Sequence, residues 1–198
     1  MDNRSASSYH EIHCFLDDVI PFVPVFVLPY FAWFAFFFLT FIYTYRYDLS
    51  EYRKQCAAVF GGFIAFLVIS LMYPNIQLLR PSVDELSNAG LFSRLCATVY
   101  ESDTPTNVMP SMHVYQAIVC TIAASRMAAK RKSPKIRAFM WIACAVISVS
   151  TVFIKQHSVL DLFGAAALAA IFYIIVYVIL ERLKLVDPDS NARIRRHS

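Results

Sequence analysis

The stretch STVFIKQHSVLDLFG, Ser150 to Gly164, joins two strongly apolar runs, yet it carries Lys155, His157 and Asp161 within seven positions. Asp161 lies one turn into an apolar helix, where an unpaired carboxylate is costly and calls for a partner. His157 is its i−4 neighbour on the same helical face. This spacing predicts a paired imidazole and carboxylate at the mouth of a membrane helix.

The rest of the chain agrees with a membrane setting. Hydrophobic residues make up 58% of its 198 positions, and mean hydropathy is +0.52, too apolar for an ordinary soluble domain. A helix needs about 20 apolar residues to cross a hydrocarbon core of about 30 Å. Five runs approach that length, at about 25–45, 55–73, 112–129, 136–154 and 159–181. The expected architecture is all-α, a polytopic membrane helical bundle of about five transmembrane helices, forming a single domain over 1–198. The acidic start (Asp2, Glu11, Asp17, Asp18) is unlike a secretory signal, which needs basic residues and an early apolar core. Five cysteines show no metal-ligand spacing, and the three inside apolar runs read as small buried hydrophobes.

Orientation follows from the basic residues. Fourteen of the 18 Lys and Arg fall in one set of connections: Arg46 to Lys54, Arg126 to Arg137, and Arg182 to Arg196. The other set keeps Arg4, Arg80, Arg94 and Lys155. The expected topology at the cell membrane is an outside N-terminus and a cytoplasmic C-terminus. The cluster RMAAKRKSPKIR is read as an anchor at an anionic membrane surface rather than as a nucleic-acid site. The outer side then holds a long loop, 74–110, a length that is often functional. Within it SVDE, from Ser82, fits a helix start near Val83, and LFSRLCATVY fits a second short helix.

Three polar pieces meet on this outer side: LLRPS with Arg80, MPSMHV with Ser111 and His113, and FIKQHSVLD with Lys155, His157 and Asp161. Each has a plainer reading. Ser111 is a good N-cap, Lys155 a snorkelling lysine, Arg80 a headgroup anchor and a lone His an interfacial residue. Taken together they suit phosphoryl transfer. Arg80 and Lys155 are cations able to hold a phosphoester, and the N–H groups opening the third span can bind an anion. Asp161 marks His157 as the nucleophile and leaves His113 as acid/base. No carboxylate cluster or Cys/His spacing points to a metal, and no cofactor is expected.

At these residues the chain resembles the type 2 phosphatidic acid phosphatase superfamily, whose motifs are K-x6-RP, PSGH and SR-x5-H-x3-D. Here they read YPNIQLLRP, PSMH and STVFIKQHSVLD, in order and with the last spacing intact. Tyr73 stands in place of lysine, Met112 in place of glycine and Thr151 in place of arginine. The resemblance covers roughly Tyr73 to Gly164. It implies a helical bundle in which His157 forms a phosphohistidine, Asp161 orients it and His113 is acid/base. It also implies phosphate binding by Arg80, Ser111 and the Met112–His113 backbone. Lys155 is the residue available to replace a missing motif cation, and the apolar Met112 is closer to the inositol-phosphorylceramide synthase-like branch.

The leading expectation is a metal-independent membrane lipid phosphatase acting on a lipid phosphomonoester or diphosphate among membrane lipids. A lipid phosphotransferase and a non-enzymatic membrane protein with a decayed site are the alternatives. The charge asymmetry makes a topological prediction. In a cysteine-free background, a single cysteine at Ser87 should label with an impermeant reagent from outside, and one at Ser133 only after the inner side is opened. The reverse pattern would overturn the orientation.

Overall fold

The computed structural model describes residues 9–183 and 185. The basic residues Arg4, Lys184, Arg193, Arg195 and Arg196 used in the topological reading lie outside them. A short strand β1 (His10–Glu11) precedes helix α1 (Phe15–Val19), and a 3₁₀ turn (Pro24–Phe26) leads into α2 (Val27–Tyr47). Helix α3 (Leu49–Met72) follows, then strand β2 (Asn75–Ile76), α4 (Val83–Asn88) and α5 (Leu91–Ser102). The second half holds α6 (Met112–Lys130), α7 (Pro134–Phe153) and α8 (Val159–Tyr173), which continues as a π-helical segment over Ile174–Leu180.

The helix starts are written locally. Asp48 caps α3 by accepting from the Ser50 and Glu51 N–H groups at 3.0 and 3.2 Å. Ser82 accepts from Glu85 N–H at the start of α4, as SVDE predicts. Pro134 occupies the first turn of α7, where its missing N–H costs nothing.

Four helical segments are long and apolar enough to cross a membrane: Pro24–Tyr47, Leu49–Met72, Pro134–Phe153 and Val159–Leu180. They turn large apolar side chains outward, among them Phe38, Ile42, Ile64, Leu71, Phe139 and Ile171. An apolar exterior of this kind marks the chain as a multi-pass membrane protein. The fifth expected span, at about 112–129, corresponds to α6, which is not among the four. The difference has a physical reason. Helix α6 packs against α2, α3, α7 and α8, so protein rather than lipid surrounds it. Buried inside, it can carry Thr121 and Ser125 and replace bulky residues by Ala117, Ala123, Ala124 and Ala128. Small residues let neighbouring helices approach closely.

Helices α6 and α3 approach closely at Tyr115. Tyr115 of α6 is fully buried and donates its hydroxyl to the Ala58 carbonyl at 2.6 Å. Gly62 lies under its ring, and a Cβ placed there would come within 2.1 Å of Tyr115. At one end of α6 a buried ion network ties the same helices together. Glu51, fully buried, takes Lys130 Nζ at 2.8 Å and Arg126 Nε at 3.3 Å, while Lys54 reaches Glu181 at 2.7 Å. Among the described residues the candidate site lies at the opposite end.

Gly62→Ala should therefore force Tyr115 off its seat. Overpacking of this kind costs about 1–3 kcal/mol, which is read as a fall in Tm of the purified protein in detergent. An unchanged Tm would show that the α3–α6 contact can relax at no cost.

Candidate active site

The turn between α7 and α8 carries His157. Ser158 caps α8, and Asp161, at the third helical position, reaches back so that its Oδ2 accepts from Ser158 N–H at 2.9 Å. The same Oδ2 lies 3.1 Å from His157 Nδ1. The carboxylate therefore fixes the ring's orientation and leaves Nε2 as the free face of the imidazole. His157 and Asp161 are both buried, and His157 Nε2 has no hydrogen-bond partner among the described residues.

His113 sits in the first turn of α6, its ring centroid 6.0 Å from that of His157. Tyr30 and Trp33 of α2 hold it, with centroids 4.7 and 4.6 Å away. Ser111 caps α6 by accepting from Val114 N–H at 3.4 Å, and its own N–H donates to the Asp161 carbonyl at 3.3 Å. That bond ties the start of α6 to the start of α8, which sets the two histidines side by side.

Both rings line a cavity of about 200 Å³, together with Met112, Phe63, Phe66 and the loop residues Asp103, Thr104, Thr106, Asn107, Val108 and Pro110. A larger apolar groove of about 780 Å³ runs between α2 and α7, where neither histidine lines it.

The two cations expected at the phosphate are placed differently from the histidines. Lys155 has a left-handed backbone (φ 52°) and turns its ammonium to the N-terminal segment. Its Nζ donates to the Asp17 and Ile20 carbonyls, each at 2.6 Å. Arg80 donates to the Asp103 and Thr104 carbonyls at 2.5 and 3.3 Å and lies over the Tyr100 ring at 5.0 Å. Burial pulls the Arg80 pKa down, opposed by the Asp103 charge. Neither cation lines the cavity; Arg80 borders it through the Asp103–Thr104 backbone that it holds. Tyr73, at the motif lysine position, stacks on His10 with centroids 4.3 Å apart. Thr151, at the motif arginine position, uses its carbonyl to accept from Gln156 and His157 N–H.

Residues that the motifs did not mark supply the framework. Fully buried Gln77 donates to the Lys155 carbonyl at 2.9 Å and accepts from Leu79 N–H at 2.7 Å. Tyr100 donates its hydroxyl to the Ile154 carbonyl at 2.5 Å. Asn75 grips Met109 from both sides, accepting its N–H at 2.9 Å and donating to its carbonyl at 3.3 Å. Gln156 donates to the Asp103 carboxylate. Asp17 is buried and accepts from Ser158 Oγ, Val159 N–H and Cys14 N–H at 2.6, 2.9 and 2.9 Å. Burial pushes its carboxyl up, but these hydrogen bonds outweigh it and hold the pKa below the usual carboxylate range. The stability Asp17 contributes is therefore present above that range and is lost as pH falls through the lowered value. The only sequence signal for these residues is polarity: an Asp and a Gln inside FLDD and NIQLL, with no local feature naming a partner so far along the chain.

The structure thus sets a pair of histidines, with a carboxylate behind one ring, at one end of an apolar helical bundle. The model of the PAP2 superfamily matches residues 74–184, which contain both histidines and Asp161. The chain belongs to the PAP2 superfamily. No curated protein and no solved structure matches it.

The framework makes its own prediction. Gln77→Leu keeps the bulk but strips the Lys155 carbonyl and the Leu79 N–H of their partner. An unsatisfied buried group costs about 1–3 kcal/mol, so Tm should fall and hydrogen exchange of the 154–160 amides should quicken. Unchanged exchange there would mean the turn does not depend on Gln77.

Proposed function

We propose that the protein cleaves the phosphoester of a membrane lipid through a phosphohistidine on His157, without a metal ion. The observation that carries this reading is the His157 imidazole. Its Nδ1 is 3.1 Å from the Asp161 carboxylate, and its Nε2 is unpartnered in a cavity shared with His113. PAP2 membership supports phosphoester hydrolysis or a related phosphotransfer.

In the first step Nε2 attacks phosphorus. The N–P bond forms as the bond to the lipid oxygen breaks, and protonated His113 gives its proton to that oxygen. Asp161 keeps the His157 proton on Nδ1 and stabilises the charge that develops on the ring. In the second step His113 takes a proton from water, the water oxygen bonds to phosphorus, and the N–P bond breaks. Met112 and His113 open α6 and line the cavity, so their first-turn N–H groups are the donors proposed for the developing charge. Arg80 acts from behind the Asp103–Thr104 backbone, and Ser111 holds the helix start in register.

One observation favours the second reading, in which a lipid hydroxyl replaces water. Among the described residues no Lys or Arg lines the cavity, and Asp103, whose carboxylate accepts from Gln156, stands on its wall. A monoester dianion meets little compensation there, whereas a diester carries a single negative charge. The number of charges to be neutralised thus suits transfer of a phospho-headgroup between lipid alcohols. We place the site at the outer face of the cell membrane, with α6 as the fifth span.

Purified protein should be offered phosphatidate, a lipid diphosphate and phosphodiester lipids, with and without a lipid alcohol, and both phosphate release and headgroup transfer should be measured. His113→Ala and His157→Ala should each lower kcat/KM by about 10²–10⁴-fold. With an activated substrate whose leaving group needs no proton, His113→Ala should still form acid-labile phosphohistidine, while His157→Ala should form none. Covalent phosphate in His157→Ala would reverse the assigned roles.

A further inference from the structure

Helix α1 and the His157 turn satisfy each other's chain ends, although 141 residues separate Asp17 from Ser158. Ser158 opens α8, where N–H groups are left without helical partners. Asp17 answers two of the groups there: Oδ1 accepts Val159 N–H at 2.9 Å, and Oδ2 accepts the Ser158 hydroxyl proton at 2.6 Å. The Ser158 oxygen remains an acceptor for Leu160 N–H at 3.2 Å, so the hydroxyl works in both directions. In return, Lys155 places its ammonium on the Asp17 and Ile20 carbonyls at the end of α1. His157 lies between these two contacts, one residue before Ser158 and two after Lys155.

These contacts are buried, with Asp17 at 1%, Ser158 at 0% and Lys155 at 8% exposure. The outward side of α1 is open, with Phe15, Leu16 and Val19 exposed beside Asp18, which pairs with His13 at 2.8 Å. The helix thus turns one carboxylate inward, and that carboxylate goes to the residue that sets the His157 backbone.

We propose that Asp17 is a positioning residue for His157, acting through the Ser158 cap, so that the N-terminal segment is part of the active site. The proposal rests on the phosphoryl-transfer reading for its kinetic consequence and on the hydrogen bonds alone for its structural one. Ser158 also presents its N–H to Asp161 Oδ2, the oxygen that orients the His157 ring. A shift at Ser158 therefore moves the imidazole and the carboxylate behind it together. Asparagine cannot replace Asp17, because its NH₂ would face either Val159 N–H or Cys14 N–H.

The full chain in nanodiscs tests this with Asp17→Asn, Ser158→Ala and the double variant. Each single change should lower kcat by about 10-fold or more, since misplacement by about 1 Å costs up to about 10²-fold. KM should stay within about threefold of wild type, because substrate binding is untouched. The double variant should lose clearly less than the product of the single losses, as both changes break the shared Asp17–Ser158 contact. Unchanged kcat, a raised KM with kcat intact, or losses that multiply in the double variant would each overturn the proposal. If Asp17→Asn does not fold, Ser158→Ala decides, because it leaves the carboxylate in place. A second readout needs no substrate: diethyl pyrocarbonate modification of His157, followed by peptide mass spectrometry, should quicken severalfold in Asp17→Asn. If wild type turns over no lipid phosphate, the phosphoryl-transfer reading fails while this rate still decides the positioning role. An unchanged rate would overturn it.

Discussion

A turn buried at the end of an apolar bundle must have its main-chain groups met by protein, and the site depends on how this is done for residues 154–158. The Ile154 carbonyl takes the Tyr100 hydroxyl, and the Lys155 carbonyl takes the Gln77 amide. The N–H groups of Gln156 and His157 go to the Thr151 carbonyl, and that of Ser158 to Asp161. An orphaned polar group in such surroundings costs as much as a lost hydrogen bond or more. Three distant segments are therefore drawn onto the turn: α5 through Tyr100, the loop after α3 through Gln77, and α1 through Asp17. Their convergence holds the His157 backbone through hydrogen bonds from three separate parts of the chain, the preorganisation that the proposed chemistry would use.

Much of the fold was legible because lipid demands long apolar helices, and four of the five expected spans meet that demand by composition. The fifth was harder to read for the opposite reason. Helix α6 is shielded by α2, α3, α7 and α8, so its sequence answers to close packing, with alanines and the Tyr115–Gly62 contact, rather than to lipid. The His157–Asp161 pairing was legible from its i,i+4 spacing, although His157 lies in the turn before α8 and is met by Asp161 reaching back from the first helical turn rather than across a shared helix face. Asp17, Gln77 and Asn75 were not. Their partners lie 142, 78 and 34 positions away, and sequence periodicity carries no information at that range.

Lys155 shows why a residue's proximity in sequence misleads at a turn. Two positions before His157, it was the natural candidate for a missing cation. A left-handed backbone at Lys155 instead sends its side chain toward the end of α1. There an ammonium can satisfy two carbonyls that a neutral side chain would leave orphaned. Arg80 makes a related choice, holding the Asp103 and Thr104 carbonyls rather than facing the cavity. Both cations thus hold backbone around the site, and neither lines the cavity of the two histidines.

This division of labour links the chemistry to the substrate's charge. A site that spends its cations on backbone geometry gains a rigid pair of imidazoles but has little positive potential to offer a dianion. Asp103 stands on the cavity wall, with its carboxylate accepting from Gln156 and its carbonyl from Arg80, so it adds no positive charge there. On the transfer reading proposed above, a phosphodiester would bring one negative charge fewer into this cavity. At the opposite end of α6, Glu51 is surrounded by Lys54, Arg126 and Lys130, which shows that the fold can gather cations round one buried acid where stability requires it. The sparse charge lining the cavity of His113 and His157 among the described residues is therefore a property of this site, not of the bundle.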